Sequence, residues 1–510
     1  GNVGIGTTLP TETLQSEGGN VIIGQKTNTS VANDQTWTTQ SAAAGQIDTG
    51  GTSAIASPSA MAVFNGSLYV GTTKANAAEV YRYDGSAASW TKVSQTTAGT
   101  IDSGGTASID AVSAMTVANG RLYIGTTEPS SAQVYRYESG TDWTLVSGTG
   151  TFDTVSISNI DGVSAMVTHN GRLIIGITEP GNAQMFIQQS DATTGWAELN
   201  PTPGTFTTNA LIDGVSAMVS FQGHVIFATN EGVGKAEVYR WSGGSNINLV
   251  SNGTPGSIGV DGGGNSVTLV RSMEVYAGSV YLGVEALTGA DLLRYEGTGA
   301  NVTNNFSRMA SGIGTVKTGG TSSIRSVSAL AVYNGHLYVG TEKINAAEIY
   351  RFEGQKGEFT KLSQTTAGTI KAGGSANIDM VSEMIQYNGD VFAGTYTTDS
   401  LAEVYKQTTI IDQSYALQFH AGTSQSGGEQ NSLLNIGSIS FLASPSGQVN
   451  NGNANTGAFL FSHSLLTDSA AYDLAEDYGT RDDSLTAGDL VSIDPNEKEF
   501  VRKSTGAGDN

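Results

Sequence analysis

The stretch SAMAVFNGSLYVG at residues 59–71 decides the fold, because six related stretches follow it along the chain. Each copy carries a methionine or leucine at the same place, and the aligned residues are Met61, Met115, Met166, Met218, Met273, Leu330 and Met384. Copies that recur about every 50 residues predict one supersecondary unit repeated in an array or a ring.

Each copy predicts four short antiparallel strands. In the first copy these are residues 60–64, 68–72, 79–83 and 90–93. Asn65-Gly66 separates the first two, and Asn-Gly between apolar runs predicts a type I′ hairpin. The first two strands are apolar on both faces and the fourth is mostly polar, which is typical of a propeller blade. A solenoid of the same period is the alternative.

The ends of the array favour a ring. The seventh copy has no fourth strand after Lys406, whereas Trp37-Thr38-Thr39, ahead of the first full copy, resembles Trp90-Thr91-Lys92. A strand supplied from the N-terminal side would complete the last blade and remove the exposed edges. We therefore predict an all-β fold in which residues 34–407 form a seven-bladed β-propeller of four-stranded antiparallel blades.

Two flanking segments remain. Residues 1–33 are predicted to be a shaft or linker, and residues 408–510 a small β domain with strands at 415–419, 436–442 and 458–461. One chain could bury these strands alone, or three chains could share them. We expect this domain to contribute to self-assembly. The chain begins at Gly1 without an initiator Met, which indicates a processed chain or part of a longer one.

Composition argues against several kinds of partner, cross-link and metal site. The chain has 24 Lys and Arg against 46 Asp and Glu, a net charge of −22. Nucleic acids and anionic membrane surfaces are disfavoured, because phosphate binding needs clustered cations. The absence of cysteine excludes disulfides and thiolate metal sites. No run of 18 apolar residues is present, so no membrane span is predicted.

The strongest candidate site is an aspartate that precedes the first strand in four copies: Asp110, Asp161, Asp213 and Asp379. Gathered at one mouth of a propeller channel, four carboxylates could hold Ca²⁺. Alternatively, each aspartate caps its own turn by accepting backbone N–H bonds. Ala56, Thr268 and Arg325 stand at this place in the other copies, and an arginine argues against a cation ring. No other metal or cofactor is predicted.

Two further repeated features have a structural and a functional interpretation. Gly-Gly pairs between copies follow aspartate in three places and lysine in two, which favours turn formation over calcium or phosphate loops. Tyrosines recur in the third strand, where packing between blades is favoured over sugar stacking. They are Tyr81, Tyr135, Tyr239, Tyr295, Tyr350 and Tyr405. No catalytic constellation is recognised.

Both ends of the chain carry a resemblance. Residues 1–14, GNVGIGTTLPTETL, resemble the NVGIGTT-x-P motif of phage tail fibres and of bacterial surface proteins built like them. Residues 472–494, which include AGDLV at 487–491, are similar to a module near the C-terminus of the same proteins. The resemblance implies an extracellular fibre or virion appendage in which several chains associate through these flanks.

We therefore expect a non-enzymatic, extracellular structural or adhesive protein whose propeller is a display or recognition head. Its ligand would be a cell-surface glycan or protein. The alternatives are a glycan-active hydrolase or lyase, or a multivalent lectin, that uses the channel face of the propeller.

Overall fold

The computed structural model describes residues 36–407 apart from 154–156, 191, 208–210, 259–265, 296 and 298–305, and several short strands between residues 432 and 503. All regular elements in these residues are β-strands. One compact unit spans residues 30–410, and the strands after residue 431 belong to a second unit. The all-β class predicted from the sequence is confirmed. None of the described segments is a helix long and apolar enough to cross a membrane.

The compact unit of residues 30–410 is built from one antiparallel arrangement of strands that occurs seven times. We number these seven repeats along the chain and call them unit 1 to unit 7. The first strands are β2 (Ser57–Phe64), β6 (Ala111–Ala118), β10 (Gly162–His169), β14 (Gly214–Phe221), β18 (Val267–Tyr276), β22 (Ser326–Tyr333) and β26 (Met380–Tyr387). The second strands are β3 (Ser67–Thr73), β7 (Arg121–Thr127), β11 (Arg172–Thr178), β15 (His224–Asn230), β19 (Ser279–Ala286), β23 (His336–Glu342) and β27 (Asp390–Tyr396).

The two outer strands of each unit are shorter. The third strands are β4 (Val80–Tyr83), β8 (Val134–Ser139), β12 (Met185–Gln188), β16 (Glu237–Trp241), β20 (Asp291–Tyr295), β24 (Ile349–Phe352) and β28 (Val404–Gln407). The fourth strands are β5 (Trp90–Lys92), β9 (Asp142–Leu145), β13 (Trp196–Glu198), β17 (Ile247–Leu249), β21 (Phe306–Arg308) and β25 (Phe359–Lys361). In unit 7 this place is taken by β1 (Trp37–Thr39), which pairs with β28.

The hairpin between β2 and β3 has the predicted geometry. Asn65 and Gly66 have φ angles of 47° and 73°, as a type I′ turn requires at both central residues. A one-residue register shift between Pro58 and Ala60 leaves Ser59 as the extra residue of a β-bulge. The same bulge recurs in the other first strands, so it belongs to the repeated design.

The predicted pairing at the ends of the array is present. Trp37 lies opposite Gln407, and Thr39 lies opposite Tyr405, in antiparallel register. The Trp37 indole N–H donates to the Leu362 carbonyl at 3.0 Å. Equivalent bonds join neighbouring units elsewhere: Trp90 to Gln40 O at 2.9 Å, Trp143 to Val93 O at 2.8 Å and Trp196 to Val146 O at 2.7 Å. Strand β1 therefore has the contacts of a fourth strand.

Serine hydroxyls of the bulges join successive first strands. Each donates to a carbonyl of the next unit: Ser59 to Val112 O at 2.8 Å, Ser113 to Val163 O at 2.7 Å, Ser164 to Val215 O at 2.7 Å, and Ser328 to Val381 O at 2.8 Å. Ser382 of unit 7 donates to Pro58 O of unit 1 at 2.6 Å. One hydrophobic cluster also combines Met61 and Val70 of unit 1 with Phe392 and Val404 of unit 7. Units 1 and 7 are therefore neighbours.

In the other compact unit, the described residues after residue 431 form short strands. These are β29 (Ser432–Ile436), β30 (Ile439–Ala443), β31 (Leu465–Thr467), β32 (Ala470–Tyr472), β33 (Gly479–Thr480), β34 (Val491–Ile493) and β35 (Phe500–Lys503). The prediction of a single strand at 436–442 is wrong, because Ile436 pairs with Ile439 across a hairpin. Gly437 interrupts that apolar run in the sequence and was the missed signal. The other two strands predicted here and the N-terminal motif at residues 1–14 lie outside the described residues.

Candidate functional site

A central cavity of about 420 Å³ is lined by the first strands of all seven units. Six units contribute the serine of the bulge, and Arg271 holds this place in unit 5. The aligned methionines and leucine of the seven copies also line the cavity, and we call them the methionine ring: Met61, Met115, Met166, Met218, Met273, Leu330 and Met384. The wall therefore combines a polar layer with an apolar one.

Two glutamates depart from the repeat inside this cavity. Glu383 follows the bulge serine of unit 7, where most other units have alanine, such as Ala60 and Ala329. Glu274 stands where the other units have small or apolar residues, such as Ala62 and Ala331. Both are partly accessible and line the cavity. Sequence reasoning missed them because it searched for residues that recur, whereas these are exceptions to the repeat.

Burial raises the pKa of both carboxyls. The pKa of Glu383 rises to about 8, because burial disfavours the charged form and because the charge of Glu274 is close. Burial raises the pKa of Glu274 to about 7, against the smaller opposite effect of the Val275 N–H bond at 3.0 Å. Within the described residues neither carboxyl forms an ion pair. Near neutral pH the cavity therefore holds carboxylic acids that can still lose a proton.

A loss of stability with rising pH follows for Glu383. Its pKa is about 8 in the folded chain against an ordinary 4.5, so the folded state holds the proton more tightly than the unfolded state. The stabilisation of the folded state by this proton is complete below about pH 4.5. It is lost as the pH rises towards 8, and the free energy of unfolding falls by up to about 1.4 kcal/mol per pH unit. We expect the melting temperature of the Glu383→Gln variant to depend less on pH between about pH 5 and pH 9 than that of the parent chain. A profile that is unchanged in the variant would contradict the burial of this carboxyl.

Each first strand runs from one side of the compact unit of residues 30–410 to its hairpin, which is Asn-Gly in five repeats, Gln222-Gly223 in unit 4 and Ala277-Gly278 in unit 5. We call the side where the first strands begin, and where the second strands connect to the third, the upper face. Arg325 immediately precedes β22, and its guanidinium donates to Glu285 at 2.9 Å and to Glu342 at 2.9 Å. Arg271 bonds Glu285 at 2.6 Å. These charges neutralise one another at the upper end of the cavity.

The four candidate aspartates each accept backbone N–H groups of the preceding unit. Asp110 accepts from Asn76 at 2.7 Å, Asp161 from Ser130 at 2.8 Å, Asp213 from Gly181 at 2.8 Å, and Asp379 from Asn345 at 2.7 Å. Backbone N–H groups are the partners that the capping alternative predicts, but the turns that these carboxylates close lie 31 to 34 residues earlier in the chain and are not the aspartates' own turns. No group of three His, Asp or Glu able to hold a metal ion is found in the described part of the chain. Calcium binding stays a prediction, which calorimetry with Ca²⁺ tests.

The repeated tyrosines have a packing role. Tyr81, Tyr135 and Tyr405 are fully buried in the third strands. A Cβ added at Gly51 would lie 3.1 Å from the Tyr81 hydroxyl, and the same holds for Gly105 and Tyr135. In these two pairs the second glycine therefore lets the connection pass over a tyrosine. The first glycine, with φ of 81° at Gly50, forms the turn.

Exposed apolar side chains are concentrated on the upper face. Among the described residues, six of the seven large exposed apolar side chains lie in connections on that face, and Val63 in β2 is the other. The six are Leu211, Val233, Leu287, Ile313, Ile344 and Leu401. They lie in connections of units 3 to 7 and offer contact area at loop tips on that face.

No protein-family model and no curated protein matches this chain. Similar solved structures include the extracellular domain of a putative hybrid two-component system from B. thetaiotaomicron, with 12% identity and a TM-score of 0.45 over 72% of this chain and 39% of that one. The extracellular domain of a putative one-component system from the same organism has 13% identity and a TM-score of 0.47 over 79% and 45%. The WD40 β-propeller domain of Doa1 has 12% identity and a TM-score of 0.39 over 70% and 94%.

This chain therefore spans less than half the length of the two B. thetaiotaomicron domains. Likeness at this level assigns no function to it.

Proposed function

We propose that residues 34–407 form a seven-bladed propeller closed by β1, and that the chain is a subunit of an extracellular fibre or appendage with the propeller as its recognition head. Support for the ring comes from the pairing of β1 with β28 and from the Ser382 bond to Pro58. A closed ring of blades leaves only short, protected strand edges.

The apolar side chains of the upper face carry the recognition role. Leu287, Ile344 and Leu401 lie in the connections between the second and third strands of units 5, 6 and 7. Apolar side chains at such loop tips supply contact area to a partner, while the strands beneath hold the loops in place. The head would therefore bind a cell-surface glycan or protein through this face.

Binding assays on surface glycans and on cells test the recognition role. We expect the full chain to bind without cleaving, and the triple substitution of Leu287, Ile344 and Leu401 by serine to weaken binding on the order of tenfold or more. Val63→Ser, which removes the exposed apolar side chain outside the upper face, is the matched control. Equal losses in both variants would place the binding surface elsewhere.

Self-association through residues 1–33 and 408–510 is the second part of the proposal. It is supported by the resemblance of both ends to fibre proteins. Light scattering of the full chain should give a mass of at least twice the 52.6 kDa of one chain. A strict monomer at micromolar concentration would contradict a fibre subunit.

The two cavity glutamates favour one alternative, a glycan-active enzyme. Glycoside hydrolases pair two carboxyls, one of which keeps its proton near neutral pH. Release of reducing sugar from a bound polysaccharide, lost in Glu383→Gln, would support this alternative over the adhesin.

A further inference from the structure

We propose that the central cavity binds a small aliphatic ammonium compound, whose charge is neutralised by Glu274 and Glu383 and whose hydrocarbon part packs on the methionine ring. The cavity of about 420 Å³ falls in the size range of small-molecule sites, which is about 300–1,000 Å³. It is much larger than a single ion needs.

The carboxyls supply the recognition of charge. Both lie on the innermost strands, at places that carry small or apolar side chains in most other units. Their polar contacts in the described residues are bonds to the backbone N–H of the next residue. A partly desolvated carboxyl without a counter-charge is costly, and an ammonium group that donates to it offsets that cost. The raised pKa values of both groups show how poorly this cavity tolerates them as bare anions.

The rest of the wall supplies the recognition of hydrocarbon. Seven of the nine methionines of the chain line the cavity, namely the six of the methionine ring and Met380. Methionine is flexible and polarizable, so it adapts to ligands of irregular shape. Five bulge serines are already committed as donors to carbonyls of the next unit, so they add little to the polar lining.

A hard metal ion fits this cavity less well. Ca²⁺ needs six to eight oxygen ligands, and Mg²⁺ needs near-octahedral geometry. Beside the bulge serines and Arg271, whose guanidinium is paired with Glu285, the described lining offers two carboxyls, which stand two units apart, and methionine side chains. No cluster of three acidic or histidine side chains suited to a metal occurs among the described residues.

The charge of the surrounding protein attracts cations. The chain carries a net charge of −22. On the upper face the Asp110 carboxylate helps to raise the pKa of Glu128, and Asp161 does the same for Glu179, after the larger effect of burial in each case. Acidic pairs beside a channel concentrate cations near its mouth.

Methionine methyl NMR tests the proposal on the full chain, with 1,4-diaminobutane as the probe. We expect the seven cavity methionines to shift on titration, while the buried Met185 and Met309, outside the cavity, serve as internal controls. The neutral analogue 1,4-butanediol and Ca²⁺ are added in parallel. Shifts of the same size with butanediol would overturn the role of charge, and saturation by Ca²⁺ alone would identify a metal site instead.

Variants separate the carboxyls from the general charge of the protein. Glu274→Gln with Glu383→Gln is expected to weaken binding of 1,4-diaminobutane at least tenfold. Glu358→Gln, at an exposed glutamate outside the cavity lining, should leave it unchanged. No methyl shift in the parent chain, or equal weakening by Glu358→Gln, would overturn the proposal. The result is independent of whether the upper face binds glycans.

Discussion

Replacing Trp37 by alanine is expected to lower the free energy of unfolding by about 3–5 kcal/mol. The indole is buried, packs with Ile349 and Tyr405 in one hydrophobic cluster, and donates to Leu362 O at 3.0 Å. The variant would therefore lose both core packing and the bond that joins β1 to unit 6. Chemical denaturation followed by tryptophan fluorescence measures the change.

Two control variants show whether ring closure is responsible. Trp37→Phe keeps most of the packing and removes the indole bond, at a cost of about 1 kcal/mol. Trp143→Ala removes the equivalent tryptophan of unit 2, whose indole donates to Val93 O. Only Trp37→Ala should increase hydrogen exchange in both β1 and β28. A change below about 0.5 kcal/mol in Trp37→Ala would show that β1 does not hold the larger unit together.

Replacing Glu79 by alanine should cost about 3–5 kcal/mol, because it leaves polar partners without their acceptor. Glu79 is 1% exposed and accepts bonds from the Tyr81 hydroxyl, the Lys92 ammonium and, at 2.8 Å, the Thr52 hydroxyl. Burial, followed by the bond to Glu79 and its charge, raises the pKa of Tyr81. Thermal melting of the purified variant measures the loss.

Unit 2 supplies the matched control for this network. It has Gln133 in place of Glu79 and Leu145 in place of Lys92, and the Tyr135 hydroxyl donates to Gln133 at 2.6 Å. The double variant Glu79→Gln with Lys92→Leu brings this neutral arrangement into unit 1. We expect it to recover stability to within about 1 kcal/mol of the parent chain. If the double variant were as unstable as Glu79→Ala, the instability of Glu79→Ala would not come from the unpaired partners of the Glu79–Lys92 ion pair.

The repeated parts of the fold could be predicted from the sequence because their signals are local. Asn-Gly turns such as Asn65-Gly66 require positive φ at two residues, and the chain adopts it there. The pairing of Trp37 with the last unit was predictable because a fourth strand was missing at one end and present at the other.

The candidate site could not be predicted in the same way. Asp110 and its equivalents recur, and recurrence directed attention to them, yet their oxygens accept backbone bonds. Glu274 and Glu383 occur once each, and their position in the cavity depends on contacts between distant units. Aligning the copies and searching for a charged residue among small or apolar ones would have found both.

A cysteine pair tests circular closure most directly, because the chain has no cysteine of its own. Thr38 and Lys406 are facing partners in the register of β1 and β28, and facing residues of antiparallel strands lie within the Cα separation that a disulfide spans. Thr38→Cys with Lys406→Cys should oxidise to near completion within single chains, and the product should migrate faster on a non-reducing gel. Two free thiols that persist in the folded, oxidised sample would show that these strands are apart and that the ring is open.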